Sequence, residues 1–368
     1  MNGPSAGIQG IHHLTAICAD AQRTVDFYTR ILGLRLLKQT VNFEDPSSYH
    51  LYFGDEEYGP GVLTFFEWRG AAVGRYGIGG THHLAFETAT RETLLQWKRW
   101  LSDSGIPVTG PYNRVYFESI YFTDPDGLII EIATRGPGWT LDENPGQLGR
   151  ELKLPPVGTT AGHRDESAIA AETWRDSVPL PTPAMRLERV HHITAIGSDA
   201  AKTEEFFSGL LGMRTVKRTV NFDNPDSPHL YFGVGAGEPG TIVTYFAYPH
   251  GTMRPARMGA GLTHHFALSV ANPEVLASWR DFLLSSGAAV TDIRDRVYFQ
   301  SIYFRDPDGL LVEIATDSPG FAIDESVEQL GTSLQLPTWL ENRRREIEAN
   351  LTPLQIQDPI GRSLAMHP

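Results

Sequence analysis

The 368-residue sequence predicts an α+β protein of four βαβββ modules arranged in two homologous halves. Three observations predict it: a long internal repeat, helical periodicities framed by β-branched and aromatic runs inside each repeat, and turn residues between those runs. The repeat is plainest in RVYFESIYFTDPDGLIIEIAT at 114–134, which returns as RVYFQSIYFRDPDGLLVEIAT at 296–316. The two differ only at Glu118/Gln300, Thr123/Arg305, Ile129/Leu311 and Ile130/Val312. The offset of 182 (296 − 114) also relates Thr81-His82-His83 to Thr263-His264-His265, while His12-His13-Leu14-Thr15 matches His191-His192-Ile193-Thr194 at 179 (191 − 12). The three-residue difference is taken up near the Gly/Pro-rich loops at 59–61 and 235–240. The tails repeat too, Gln147-Leu148-Gly149 and Leu154-Pro155 returning as Gln329-Leu330-Gly331 and Leu336-Pro337. The halves are therefore about 1–180 and 187–368, joined by a Pro-rich stretch at 179–183.

Within the first half, residues 10–17 alternate like a strand. Asp20 can cap the helix that follows, Val25, Tyr28 and Ile31 or Leu32 recur at helical spacing, and Gly33 supplies a left-handed stop. Strand-like runs at 34–41, 49–54 and 62–68 complete one module. A second cycle has a strand at 81–88, a helix at 91–103 ending at Gly105, and strands around the turn Asp124-Pro125-Asp126-Gly127. Strands rich in Tyr, Phe, Val and Ile predict curved, mainly antiparallel sheets that pair module against module. Gly77-Ile78-Gly79-Gly80 lacks the strand-to-helix context of a phosphate loop and reads as a turn.

Composition narrows the function. A formal charge of −13 disfavours nucleic acid and anionic membranes as partners. The run Arg343-Arg344-Arg345 is interleaved with Glu341, Glu346 and Glu348, the pattern of a solvated helix face. No basic leader or apolar run of roughly 18 residues is present, and the single Cys18 allows no internal disulfide, so a soluble cytoplasmic protein is expected. Cys18 has no neighbouring pattern that implies a nucleophile.

The repeat isolates four His-His pairs, His12-His13, His82-His83, His191-His192 and His264-His265, and two strand glutamates, Glu131 and Glu313. Glu313 stands between Val312 and Ile314, where a lone carboxylate is expensive to bury unless a cation faces it. Strand alternation puts His13 and Thr15 on one face and His12 on the other, so one imidazole of each pair is available as a ligand. Two imidazoles and a carboxylate from separate strands make a facial set with open positions, as iron(II) oxygen chemistry requires. The competing expectation is an ion pair of Glu131 with Arg114 and of Glu313 with Arg296.

The His-His-x-Thr openings, the Thr-His-His motifs and the closing YFxDPDGxxxEIAT resemble the vicinal oxygen chelate superfamily, which holds glyoxalases, bleomycin- and fosfomycin-resistance proteins and extradiol dioxygenases. The resemblance covers nearly the whole chain and is greatest to ring-cleaving dioxygenases that act on hydroquinones. It implies a glyoxalase/extradiol dioxygenase-like fold and an Fe2+ ion, with Mn2+ as an alternative, held by His13, His265 and Glu313. It places His12, Thr15, His264, Arg296 and Tyr303 around the ion. His264 would then transfer a proton, Arg296 stabilise developing negative charge and Tyr303 bind the second substrate oxygen. The first half keeps its own set, so a mirror centre of His83, His192 and Glu131, with Arg114 and Tyr121, is chemically possible beside the primary set, as is a combination of His192, His265 and Glu313.

The implied reaction is opening of a small aromatic diol by O2. Two rival readings are a glyoxalase-type metal-dependent lyase or isomerase, which needs a fuller ligand set, and a non-catalytic binding protein of the same fold, which lacks the ligands. A homo-oligomer is compatible with the sequence.

Overall fold

The computed structural model describes residues 4, 7–54, 62–187 and 189–356, so the glycine-rich stretch at 59–61 lies outside the described residues. The first module runs β1 (Gly10–Cys18), α1 (Ala21–Asp26), β2 (Arg35–Asn42), β3 (Asp45–Gly54) and β4 (Val62–Glu67). The second runs β5 (Gly80–Thr88), α2 (Arg91–Asp103), β6 (Thr109–Asn113), β7 (Glu118–Thr123) and β8 (Ile129–Thr134). A short linker helix, α3 (Glu166–Ala171), precedes the third module, β9 (Val190–Gly197), α4 (Ala200–Glu204), β10 (Arg214–Asn221), β11 (Asn224–Gly233) and β12 (Ile242–Ala247). The fourth is β13 (Thr263–Val270), α5 (Pro273–Ser285), β14 (Arg294–Asp295), β15 (Phe299–Arg305) and β16 (Leu311–Pro319), followed by α6 (Arg344–Asn350). Four βαβββ modules are thus present, as the repeat predicts.

Local chemistry explains the helix ends. Asp20 accepts from the backbone N–H of Arg23, Asp199 from those of Ala201 and Lys202, and Asn272 from that of Val275, satisfying donors a helix start leaves bare. Gly33 and Gly105 adopt positive φ, 70° and 79°, where each chain leaves its helix. The structure departs from the expected helix after Asp26: residues Phe27–Ile31 form a π turn, and the third module does the same at Glu205–Leu210. The wider turn lets Phe27, Tyr28 and Thr29 all be buried in succession.

The strands form two curled eight-stranded sheets, ordered β14-β15-β16-β13-β1-β4-β3-β2 and β10-β11-β12-β9-β5-β8-β7-β6. β1 pairs antiparallel with β13, Leu14 opposite Phe266, and β5 with β9, Leu84 opposite Ile193. Each sheet therefore takes one module from each sequence half, the first with the fourth and the second with the third. Pairing this way buries the free edges of β1, β5, β9 and β13 at the sheet centres.

Each sheet has two differently occupied faces. A continuous apolar core that includes Tyr28, Trp97, Phe207 and Trp279 from the helical segments packs against one face of both sheets. The Tyr28 hydroxyl donates to Asp124 (3.1 Å) and that of Tyr245 to Asp306 (2.8 Å), carboxyls pushed up by burial to about 6. The turn at Gly79 passes so close to the fourth module that a Cβ there would stand 2.3 Å from the Asp308 carbonyl oxygen, which together with φ 78° demands glycine. On the opposite faces, smaller aromatic clusters around Phe299 and Phe117 flank the histidine pairs. In α6 and the turn before it, Arg343 and Arg344 pair with Glu346, Glu341 and Glu348 on an exposed face. Cys18 is buried, its thiol pushed up to about 12 by that burial. Among the described residues no helix is long and apolar enough to cross a membrane.

Candidate metal centre

All four His-His pairs sit at β-bulges. The β1–β13 register passes from Ile11↔Leu268 to His13↔Ala267 and from Thr15↔His265 to Ala16↔Thr263, skipping His12 and His264; the β5–β9 register skips His82 and His191 in the same way. A bulge re-aims the side chains beside it. Strict alternation therefore fails at these points: His12 does not turn to the far face but meets its neighbour, Nδ1 to Nδ1, at 2.7 Å. The other pairs repeat the contact at 2.7 Å (His82, His83), 2.8 Å (His191, His192) and 2.8 Å (His264, His265).

The bulges turn the second imidazole of each pair toward a glutamate. His265 Nε2 lies 2.8 Å and His13 Nε2 3.3 Å from Glu313 Oε2, and the two nitrogens are 3.3 Å apart. His13, His265 and Glu313 come from β1, β13 and β16, adjacent in the sheet and buried. Burial by itself raises the Glu313 carboxyl, so an ionised carboxylate here needs positive charge facing it. Neither of its oxygens has a hydrogen-bond partner, although nitrogen stands 2.8 Å away. The contact is close but not directed as an N–H···O bond.

Donor and acceptor chemistry around His12 fixes the tautomer of His13. Its Nε2 lies 3.2 Å from the Thr316 carbonyl oxygen, which can only accept, so Nε2 carries the hydrogen and Nδ1 the lone pair. The hydrogen shared between the two Nδ1 atoms then belongs to His13, leaving its Nε2 as a bare lone pair aimed at the cluster. An ionised carboxylate without donors and an imidazole fixed in its ligating tautomer are what a divalent cation fits, and the ligand atoms lie within 4.8 Å of one another.

Around this trio, Thr15 Oγ1 lies 3.1 Å from His265 Nε2 and 2.7 Å from Thr64 Oγ1, which is 3.0 Å from His50 Nε2. The Tyr52 hydroxyl is 3.0 Å from His50 Nδ1. Arg296 donates from Nε to the Tyr303 hydroxyl (3.2 Å) and pairs through Nη1 with Glu44 (2.7 Å). Arg114 pairs with Asp223 (3.0 Å). The arginines are thus not the partners of Glu313 and Glu131, and the ion-pair expectation is overturned. His264 touches His265 on the edge away from Glu313, and burial, then His265, pushes its imidazole down to about 3. His50 and Glu44 escaped the sequence reading. The repeat carries their signal, since His50-Leu51-Tyr52-Phe53-Gly54 returns as His229-Leu230-Tyr231-Phe232-Gly233 and Asn42-Phe43-Glu44 as Asn221-Phe222-Asp223.

The second sheet assembles the mirror trio. His83 Nε2 is 2.8 Å and His192 Nε2 3.4 Å from Glu131 Oε2, with 3.3 Å between the nitrogens. His192 faces Glu131, so the structure does not form the combination of His192, His265 and Glu313.

The glyoxalase/bleomycin resistance protein/dioxygenase superfamily model matches residues 10–132 and 189–314. The chain belongs to this superfamily. Among its members, the Bacillus subtilis protein named "Putative ring-cleaving dioxygenase MhqO" is 34% identical over 350 residues, 95% of this chain and 97% of that one. The chlorohydroquinone/hydroquinone 1,2-dioxygenase of Sphingobium indicum is 29% identical over 92% of this chain and 95% of its own length. A Bacillus subtilis crystal structure titled "putative dioxygenase" superposes with TM-score 0.77 at 32% identity, covering 96% of this chain and 100% of that one. Maize glyoxalase I shares the fold, with TM-score 0.56 at 15% identity over 84% of this chain and 92% of its own.

Two expectations follow for this superfamily member. His12→Ala removes the acceptor that fixes the His13 tautomer and should weaken binding of a divalent cation at that trio about 10- to 100-fold, as read by metal titration; unchanged affinity would contradict the relay. His12, His82, His191 and His264 are each lowered from 6.5 to about 3, burial being the largest cause. The unfolded chain takes up protons below pH 6.5 that the folded one refuses, so the stability they contribute is complete above pH 6.5 and declines as pH falls toward 3. Thermal midpoints of metal-free protein should drop through that window.

Proposed function

We propose that the protein is a non-haem Fe2+-dependent dioxygenase that opens the ring of a small aromatic diol, of hydroquinone or catechol type, with O2. The observation that carries the reading is the buried, ionised and unbonded Glu313 carboxylate facing two imidazole nitrogens, in a chain whose full-length relatives are named ring-cleaving and hydroquinone dioxygenases. His13, His265 and Glu313 would hold the ion, with Mn2+ accepted by the same donors. An Fe2+ ion held there supplies Lewis acidity toward a phenol oxygen and the one-electron chemistry that O2 requires. Among the described residues no second carboxylate joins either trio, which favours oxygen chemistry over a lyase needing a fuller ligand set.

The chain's own residues position the ring. Burial and then Glu313 hold the Tyr303 phenol above its ordinary pKa, so it stays protonated. Its oxygen accepts from Arg296, leaving its hydrogen free to donate to a substrate oxygen. The Arg296 guanidinium, largely buried and anchored by Glu44, presents fixed positive charge to an anionic product or intermediate. Phe299 and the ring of His50 offer flat apolar surface beside the trio. His12 and His264 set the ligand rings from behind.

Metal-loaded protein should consume O2 with a hydroquinone or a catechol and show no glutathione-dependent isomerisation of a hemithioacetal; the reverse outcome assigns it to the lyase class. Tyr303→Phe should keep its metal while kcat falls about a hundredfold at that centre, the loss of one preorganised donor.

A further inference from the structure

We infer that the chain carries a second catalytic metal centre, built from His83, His192 and Glu131 on the other sheet, which binds its own divalent cation and an aromatic ring bearing oxygen substituents. The metal site stands on its own geometry; the class of ring rests on the reading of the first centre.

The geometry is that of the first trio. The Nε2–Oε2 distances of 2.8 and 3.4 Å compare with 2.8 and 3.3 Å, and the nitrogen–nitrogen separation of 3.3 Å is common to both. Glu131 is fully buried, and neither of its oxygens has a hydrogen-bond partner. Such a carboxylate is unfavourable in an apolar sheet unless a cation meets it. His83 and His192 are backed at Nδ1 by His82 and His191, the arrangement that turns the ligating nitrogen inward.

A small pocket of about 20 Å³ lies over this trio. Phe117, Phe222 and Phe246 line it beside polar groups that include Arg114, Tyr121 and Asn221, chemistry that suits an oxygen-bearing ring once the walls part to admit it. Every residue that lines it recurs at the repeat-equivalent position beside the first trio as the same type, except Asp223, whose counterpart is Glu44. A decayed duplicate would have lost some of these side chains; this one retains the ligands, their supports and the substrate-facing arginine and tyrosine together. The mouths differ. Asp223 is held both by Arg114 (3.0 Å) and by Arg164 (2.6 Å), and Arg164 lies over the Tyr112 ring at 4.0 Å, so the segment between the halves frames the second cavity.

The test is metal stoichiometry of the full-length protein, stripped with chelator, reloaded anaerobically with Fe2+ and freed of excess ion. Two ions per chain are expected in the wild type and one in each of Glu131→Gln and Glu313→Gln, with apo circular dichroism of each variant confirming the fold. One ion in the wild type that Glu131→Gln leaves in place and Glu313→Gln removes overturns the second centre and spares the first. One ion that Glu131→Gln removes and Glu313→Gln leaves supports the second and sinks the assignment of the first. Anaerobic calorimetry of Mn2+-loaded protein with hydroquinone should likewise give two sites in the wild type and one in Glu131→Ala; a count of one in both overturns the ring-binding claim.

Discussion

Removing both strand glutamates, as Glu131→Ala with Glu313→Ala, is expected to abolish ring cleavage, with a loss well beyond the roughly 10- to 100-fold that follows from disturbing only the partners of metal ligands. Each glutamate is the single anionic donor of its trio among the described residues, and the remaining imidazoles are neutral nitrogens that bind a divalent ion far less well. Glu313→Ala alone should remove the first ion and leave the turnover of the second centre. The same variants carry a stability signature. In the metal-free protein each glutamate is a buried charge without hydrogen bonds, so its loss should leave the apo melting temperature unchanged or higher. The increment that Fe2+ adds to the wild-type midpoint should vanish in the double variant. A double variant that retains turnover would contradict the metal assignment; one that melts much earlier without metal would mean the glutamates serve the scaffold.

Lys38→Ala is expected to destabilise the fold by about 3–5 kcal/mol, the range for breaking a buried ion pair by removing one partner. The Lys38 side chain is fully buried on β2, its Nζ 2.6 Å from Asp324 and 2.5 Å from Glu325 beyond β16. Glu325, itself 4% exposed, would be left without its cation. The contact joins the first sequence half to the second across one sheet, so the loss should appear as a single cooperative drop in denaturant midpoint. Lys217 makes the equivalent contact with Asp142 (2.7 Å) and Glu143 in the other sheet. Lys217→Ala should therefore behave alike, and a shift below about 1 kcal/mol in both would show that these pairs are replaceable by water.

Much of this architecture is legible in the amino-acid sequence because the signals are local or repeated. The four modules follow from periodicity, caps at Asp20 and stops at Gly33 and Gly105, all of which depend on neighbours within a few residues. The histidine pairs and glutamates stand out because duplication displays each twice. What the sequence does not carry is the long-range choice. That β1 pairs with β13 rather than with β5 is decided by packing across more than 250 residues, and it determines which histidine meets which glutamate. Alternation misplaces His12 because a bulge is a property of two paired strands, not of one. His50 and Glu44 reach the site only through that pairing, although the repeated HLYFG and Asn-Phe-acid motifs could have flagged them. The π turn after Asp26 likewise answers to the burial of Phe27, Tyr28 and Thr29 together, which no helical periodicity anticipates.

Anomalous diffraction at the iron absorption edge, from crystals grown with Fe2+ under anaerobic conditions, tests the central claim most directly. The account requires an anomalous peak bonded to His13 Nε2, His265 Nε2 and a carboxylate oxygen of Glu313. A clean map at that position in protein shown to contain iron would contradict it.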